Sequence, residues 1–187
     1  MNRKVFVHLR TLIYVTLVSM LSISLTACGP EIPENKETIT IGQYGSKVYC
    51  GASALDFSEV EGLKAYVATG YDNGRVTLTR VMTVKAGEGI LIKGNAGDYG
   101  VPVIERSNDN TLNLFVGVQG SSMVYPKSED GLYTNYYWNP AYTRFEPIVG
   151  NMDLENSAYI QVPAEWKSWS GDVEFVGGEF VNTENGR

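Results

Sequence analysis

Histidine is nearly absent from this 187-residue sequence: the only one is His8, inside an N-terminal segment expected to be removed. A chain without an imidazole is excluded from Ser-His-Asp and Cys-His catalysis, from histidine zinc sites and from histidine acid/base work. Cysteine is scarce as well, with Cys28 and Cys50 alone. If Cys28 is consumed by modification, no intrachain disulfide is available. Cys50 then reads as a small apolar residue in a strand, because no imidazole remains to lower its pKa. The G-x-S-x-G elbow and the D-x-D-x-D-G calcium loop are both missing. Gly87-Glu88-Gly89 with Lys93 runs into a strand instead of a helix N-terminus, so these are turn residues and not a phosphate loop. No cofactor and no metal is expected. After residue 27 no segment longer than about nine residues keeps a 3.6-residue apolar period, which excludes a helical bundle.

What is present begins with a leader. Arg3, Lys4 and Arg10 form a basic head, Leu12 to Leu25 an apolar run, and Leu25-Thr26-Ala27-Cys28-Gly29 closes it. That closing run resembles the bacterial lipobox. The resemblance implies that residues 1–27 are a signal peptide, that the Cys28 sulfur receives a diacylglyceryl group, and that the new amino terminus is acylated, as with palmitate. The alternatives are an ordinary secretory signal or an uncleaved anchor. A spanning helix needs about 20 apolar residues, and this run is shorter and broken by Thr16, Ser19, Ser22 and Ser24. One acyl chain contributes only about 0.8 kcal/mol per buried methylene, so a lasting anchor takes two or more. Removing residues 1–27 takes three basic residues and no acid, so twelve Lys and Arg face twenty-one Asp and Glu, and the net charge goes from −6 to −9. Such a surface repels phosphate backbones, and no nucleic-acid partner is expected.

Residues 28–38, rich in Pro, Glu and other polar residues, read as a lipidated flexible tether, and residues 39–187 as one all-β domain. The organising stretch is Leu63 to Gly94. Tyr71-Asp72-Asn73-Gly74 is a hairpin turn, since both central residues of a type I′ turn need positive φ. Val76 and Leu78 share one face of the returning strand, Thr77 and Thr79 the other. Lys85 to Gly89 is a second turn, and Ile90-Leu91-Ile92 a strand apolar on both faces. Ala54 to Gly62 reads as a single helical turn over Leu55, Phe57 and Val60. Tyr99, Val101 and Val103 alternate, with Pro102 placing their strand at an edge or a bulge. Leu112, Leu114, Val116 and Val118 alternate too. About ten to twelve short strands at this turn spacing predict a sandwich or barrel-like fold with little helix. Lys64-Ala65-Tyr66-Val67-Ala68 is echoed by Ser157-Ala158-Tyr159-Ile160-Gln161, which suggests two related halves, about 39–106 and 107–187.

Two residue classes are candidates for function. Glu59 with Glu61, or Asp153 with Glu155, would share a face on a strand, and glycosidases work with carboxyl pairs about 5–9.5 Å apart. With twenty-one acids in the chain, a solvated face is the far commoner origin of such pairs. The second class is aromatic: Tyr133, Tyr136, Tyr137, Trp138 and Tyr142, followed by Trp166 and Trp169. Exposed aromatic faces stack on sugar rings or anchor protein interfaces, whereas inward ones fill the core. In Tyr136-Tyr137-Trp138, alternation puts at most two on one face. Trp138, before Asn139-Pro140-Ala141, is the first candidate for an exposed platform. Trp166 and Trp169 come next, with Tyr136 and Tyr142 beside them.

The runs Ala54 to Phe57, Glu61 to Tyr66, Val76 to Val81 and Ala86 to Gly94 resemble β modules of Bacteroides-type and Prevotella-type secreted and surface proteins. Leu114 to Val118 and Ala158 to Pro163 resemble the second half of the same module. The likeness spans about residues 40–165 and departs in the aromatic, Gly-rich tail from Trp166. It implies a module without known catalytic residues. In lipoproteins of that group, acids soon after the lipidated cysteine, here Glu31 and Glu34, accompany export to the outer face. The expectation is a non-enzymatic binding or adhesion module, anchored by lipid at the outer membrane and facing the cell surface. Its rivals are a glycan-binding accessory of a polysaccharide uptake system, a structural subunit of an envelope or fimbrial assembly, and a small carboxylate hydrolase.

Overall fold

The computed structural model describes residues 35–72, 74–166 and 169–177, and among these every regular element is a strand. In chain order they are β1 (Lys36–Ile41), β2 (Ser46–Tyr49), β3 (Ala54–Asp56), β4 (Leu63–Asp72), β5 (Arg75–Val81), β6 (Thr83–Val84) and β7 (Ile90–Gly94). Then follow β8 (Gly97–Ile104), β9 (Phe115–Val124), β10 (Tyr133–Asn139), β11 (Arg144–Pro147), β12 (Met152–Pro163) and β13 (Asp172–Val176). They form three open sheets, ordered β1-β8-β3-β6, β13-β5-β4-β7-β2 and β11-β10-β12-β9. The class is all-β, a layered sandwich and not a closed barrel. All described strands belong to a compact unit that begins at Asn35. The lipidation candidate Cys28 lies outside the described residues.

The five-stranded sheet is the middle layer. Its β4 turns Leu63, Ala65 and Val67 into a first core with Ile39, Leu55, Phe57 and Val101 from the sheet on one side. The same strand turns Tyr66 and Ala68 into a second core with Phe115, Trp138, Phe145 and Ile160 from the sheet on the other. β7 does likewise, with Ile90 and Ile92 in the first core and Leu91 in the second. A strand buried on both faces needs an unbroken apolar run, and this is what Ile90-Leu91-Ile92 supplies. β5 keeps Val76 and Leu78 in the second core and exposes Thr77 and Thr79 more. The β4–β5 hairpin closes on the pair Asp72↔Arg75 with Gly74 at φ 81°, while Asn73 lies outside the described residues.

Several expectations need correction. Ala54–Gly62 is not a helical turn: its first three residues are β3, paired with β6 and β8, and Phe57 N donates to Met82 O at 2.7 Å. Leu55 and Phe57 are buried as expected, but from extended backbone. Residues 36–38 do not belong to a flexible tether, because Lys36, Glu37 and Thr38 pair with Pro102, Val101 and Gly100. The strand carrying Pro102 lies inside its sheet. Pro102 is tolerated because it sits where β8 passes from pairing with β1 alone to pairing with β3, whose ladder starts at Leu55↔Val103. β9 starts only at Phe115, so Leu112 precedes it and is exposed.

The two halves of the chain are not separable layers. β13, from the tail, joins β5 in parallel at the edge of the middle sheet, the one parallel pair among the described strands. Phe175 meets the Tyr66 ring edge-on at 5.0 Å and lies under the Lys93 ammonium at 4.1 Å. The Ala65/Ala158 echo also places its residues differently. Ala65 faces the first core with Tyr66 turned to the second, whereas Ala158 and Ile160 face the second core and Tyr159 turns outward.

Cys50 closes β2 and is fully buried, with its thiol pushed up by burial against a smaller lowering by the Val118 backbone. It stands between the middle and third sheets, where a Cβ on Gly117 of β9 would lie 2.7 Å from its Sγ. Cys50 N donates to Asn156 O at 3.2 Å, and Gly87 N to Gly51 O at 2.9 Å.

Candidate functional site

β10 sorts the predicted aromatic residues by parity. Tyr136 and Trp138 point inward to the second core, while Asn135 and Tyr137 point to the other side. Trp138 is therefore no exposed platform. It is 4% exposed, its Nε1 donates to Ser46 Oγ on β2 at 3.1 Å, and its ring meets Phe145 edge-on at 5.1 Å. The polar turn after it suggested exposure, but strand parity outweighs proximity to a loop.

Tyr136 is buried as well and meets Trp169 edge-on at 4.6 Å. Trp169 and Trp166 both stand edge-on to Tyr71, at 6.0 and 5.9 Å. Tyr136, Trp166 and Trp169 thus do come together, beside Tyr71 from the β4–β5 hairpin. Trp166, 41% exposed, is the member that reaches solvent. The Tyr71 hydroxyl donates to Gln161 O at 2.9 Å and ties the middle sheet to β12. Burial first, and then the neighbouring Tyr133, push its pKa from 10 up to about 12. A folded-state pKa raised above the unfolded value gives a contribution complete below pH 10 and lost as pH rises through 12. Spectrophotometric titration should show Tyr71→Phe removing one tyrosine from the fraction that ionises near pH 12.

Tyr142 is 69% exposed and stands apart, in the turn between β10 and β11. The Arg144 guanidinium lies 5.4 Å from its ring and donates to Glu146 Oε1 from Nε at 3.0 Å and Nη2 at 2.7 Å. Glu146 Oε2 accepts from Asn139 at 2.8 Å and Tyr137 at 3.0 Å. The bonds from Asn139 and then Arg144 hold its carboxyl below the usual carboxylate range. This carboxylate is occupied at every oxygen and is a structural anchor.

The candidate acid pairs are on the surface. Glu59 and Glu61 lie in a turn and not on a strand, and both are exposed. Asp153 and Glu155 are exposed on β12, where Asp153 accepts from Ser121 Oγ at 2.7 Å. Among the described residues, no three His, Cys, Asp or Glu side chains are gathered to hold a metal ion.

A concave site lies instead on the outer side of the third sheet. β9 and β12 are long partners with an irregularity between Glu155 and Ser157, where Asn156 has φ 43° and its Oδ1 accepts from Gly120 N at 2.9 Å. An extra residue bends a strand and switches its facing. Met152, Leu154 and Val124 thereby join Val118, Ile148 and the outward Tyr159 in a third, smaller core. Between that bent ribbon and the segment after β9 is a cleft of about 430 Å³, lined by residues of β9, β10, β12 and the loop 125–129.

Asn135 builds the cleft wall. It is 3% exposed and all four of its polar groups are used. Its N donates to Pro126 O at 2.9 Å, its Nδ2 to Tyr125 O at 2.9 Å, and its O accepts from Ile148 N at 2.9 Å. Its Oδ1 accepts from Gln161 Nε2 at 3.1 Å, which fixes an amide on the cleft floor. The next turn is tied by Ser128, whose Oγ donates to Asp130 Oδ1 at 2.6 Å and accepts from Tyr133 N at 3.0 Å. Tyr125 is 58% exposed on the rim, with Lys127 and Glu129 as the only charges in the lining.

None of the predicted aromatic residues lines this cleft. Tyr159 and Gln161 belong to the internal echo, whereas nothing in the sequence singles out Tyr125 or Asn135. A polar residue at every second strand position reads as solvent-facing, and only the bend of β9–β12 turns that face into a wall. Compared with protein-family models, with curated proteins and with solved structures, the chain matches none.

Proposed function

We propose that this protein is a non-catalytic binding or adhesion module, held at the outer membrane by acyl chains on Cys28 and displayed at the cell surface. The observation that carries the reading is the preformed cleft of about 430 Å³ on the outer face of the third sheet. Its volume falls in the range of ligand sites, about 300–1,000 Å³. It has one acid in its lining, whereas general acid/base work on a glycosidic bond takes two facing carboxyls. The lipobox-like run ending at Cys28 and the acidic tether support the placement. The lipid would hold the module, and the tether would give it reach from the bilayer.

Two measurements test this. Mass spectrometry of the mature N-terminus should find acylated Cys28, and Cys28→Ala should release the protein from the membrane. Cells displaying the wild-type chain should retain a polymer or protein partner that cells displaying Ser122→Trp, which fills the cleft, do not. A mature chain that begins elsewhere without lipid would overturn the anchor. Equal retention by both cell types would overturn the cleft as the binding surface.

A further inference from the structure

We propose that the cleft between β9, β12 and the loop 125–129 takes a neutral saccharide, an inference that rests on the binding-module reading above.

The lining chemistry selects this class. A sugar presents hydroxyls that both donate and accept, and C–H faces that are apolar, so its site needs donors, acceptors and an aromatic surface side by side. Here Gln161 gives its Nε2 to Asn135 Oδ1 at 3.1 Å, which orients its amide on the cleft floor. Gln119 enters the lining from β9, but its Nε2 donates to Gly51 O at 3.1 Å on the middle-sheet side, so its amide is not counted toward the ligand. Ser122 brings a hydroxyl to the same cleft. Tyr125 on the rim and Tyr159 on the floor bring the aromatic surface.

Other ligand classes fit less well. A phosphate or polyanion wants an excess of fixed cations, but Lys127 is matched by Glu129 and the mature chain carries a charge of −9. A lipid or other apolar ligand wants a mostly apolar lining, whereas side-chain amides, hydroxyls and the two charges are interleaved with the valines here. A stable protein interface buries about 800 Å² per partner around an apolar centre. The exposed apolar side chains Met123 and Tyr125 make a rim, not such a centre. The wall is also rigid, because Asn135 and Gln161 are locked to each other and to the loop, and a preorganised site loses little on binding.

The test is isothermal titration of the full acylated chain, held in a detergent without sugar groups. The probes are cellohexaose, maltohexaose, mannohexaose and, as an acidic comparison, a galacturonic acid oligomer. At least one neutral probe should bind. Tyr125→Ala and Ser122→Trp should each weaken it by about tenfold or more, the loss of one stacking face or of the space itself. Trp166→Ala and Tyr142→Ala, both outside the cleft, should leave affinity within about twofold. Thermal unfolding of Ser122→Trp close to that of wild type shows that the loss is local. Binding of the acidic oligomer alone, or of no probe, overturns the saccharide. The wider reading then stands or falls on retention of another partner by displayed wild type against Ser122→Trp. A neutral probe that binds Ser122→Trp as well as wild type overturns the site.

Discussion

Trp138→Ala should destabilise the fold by about 3–5 kcal/mol, as aromatic-to-alanine changes in a core do, and should not act as a binding mutation. The indole is 4% exposed between the middle and third sheets, in an edge-on contact with Phe145 at 5.1 Å. Truncation leaves a void there, because neighbouring layers relax only partly. It also strands the Ser46 hydroxyl, itself 6% exposed, whose partner in the core is Trp138 Nε1. A buried polar group left unpaired costs a further 1–3 kcal/mol or so. Trp138→Phe keeps much of the volume and loses the bond, so it should fall between wild type and alanine. Chemical denaturation followed by circular dichroism gives the three values. A Trp138→Ala protein of wild-type stability that has lost its ligand would mean that the ring does face solvent.

The second large effect is expected at Gly117. A Cβ there would lie 2.6 Å from Gly87 O, 2.7 Å from Cys50 Sγ and 3.2 Å from Gly89 N. Real Cβ contacts do not come so close to backbone atoms, so β9 and the 85–89 turn would have to part. Gly89 faces the same constraint from the other side, with Ala158 Cβ 2.5 Å and Phe115 Cβ 2.8 Å from its virtual Cβ. Overpacking usually costs about 1–3 kcal/mol and sometimes more, and Gly117→Val belongs at or above the upper end because the obstructing atoms cannot rotate away. Urea denaturation should show it. Gly117→Ala should be milder, and milder still beside Cys50→Ala, which removes the sulfur but not the carbonyl. A double-mutant cycle reads that coupling. A Gly117→Val protein as stable as wild type would mean that the sheets are not in contact here.

What could be read from the sequence was whatever is decided within one hairpin. Asp72-Asn73-Gly74-Arg75 announced its own turn, and Val76 and Leu78 their shared face. Ile90-Leu91-Ile92 announced burial from both sides, which already implied a layer above and below. Beyond that range the signals ran out. In Tyr136-Tyr137-Trp138 alternation separates the residues into two sides without saying which is inside, and the third core on the far side makes both partly buried. Tyr71 joins Trp166 and Trp169 only after β12 has crossed the sheet. The cleft is further still from being legible: Asn135, a plain polar residue on a strand, lines it beside a neighbouring strand whose register breaks between Glu155 and Ser157. Of the aromatic candidates, Tyr133, Tyr142 and Trp166 keep substantial exposure.

The parallel seam between β13 and β5 also governs the order of assembly. Ser170 Oγ reaches Gly74 O at 2.8 Å across 96 positions of chain. The middle sheet therefore has a bare flank along β5 until nearly all of the preceding polypeptide has been delivered. Contacts of such long sequence separation form late and slow folding, and an unpaired strand edge invites pairing with the wrong partner. Rapid capture of the tail by β5 would keep that interval short. A chain cut before Asp172 would carry its open flank permanently, and with it a tendency to stick to its own kind.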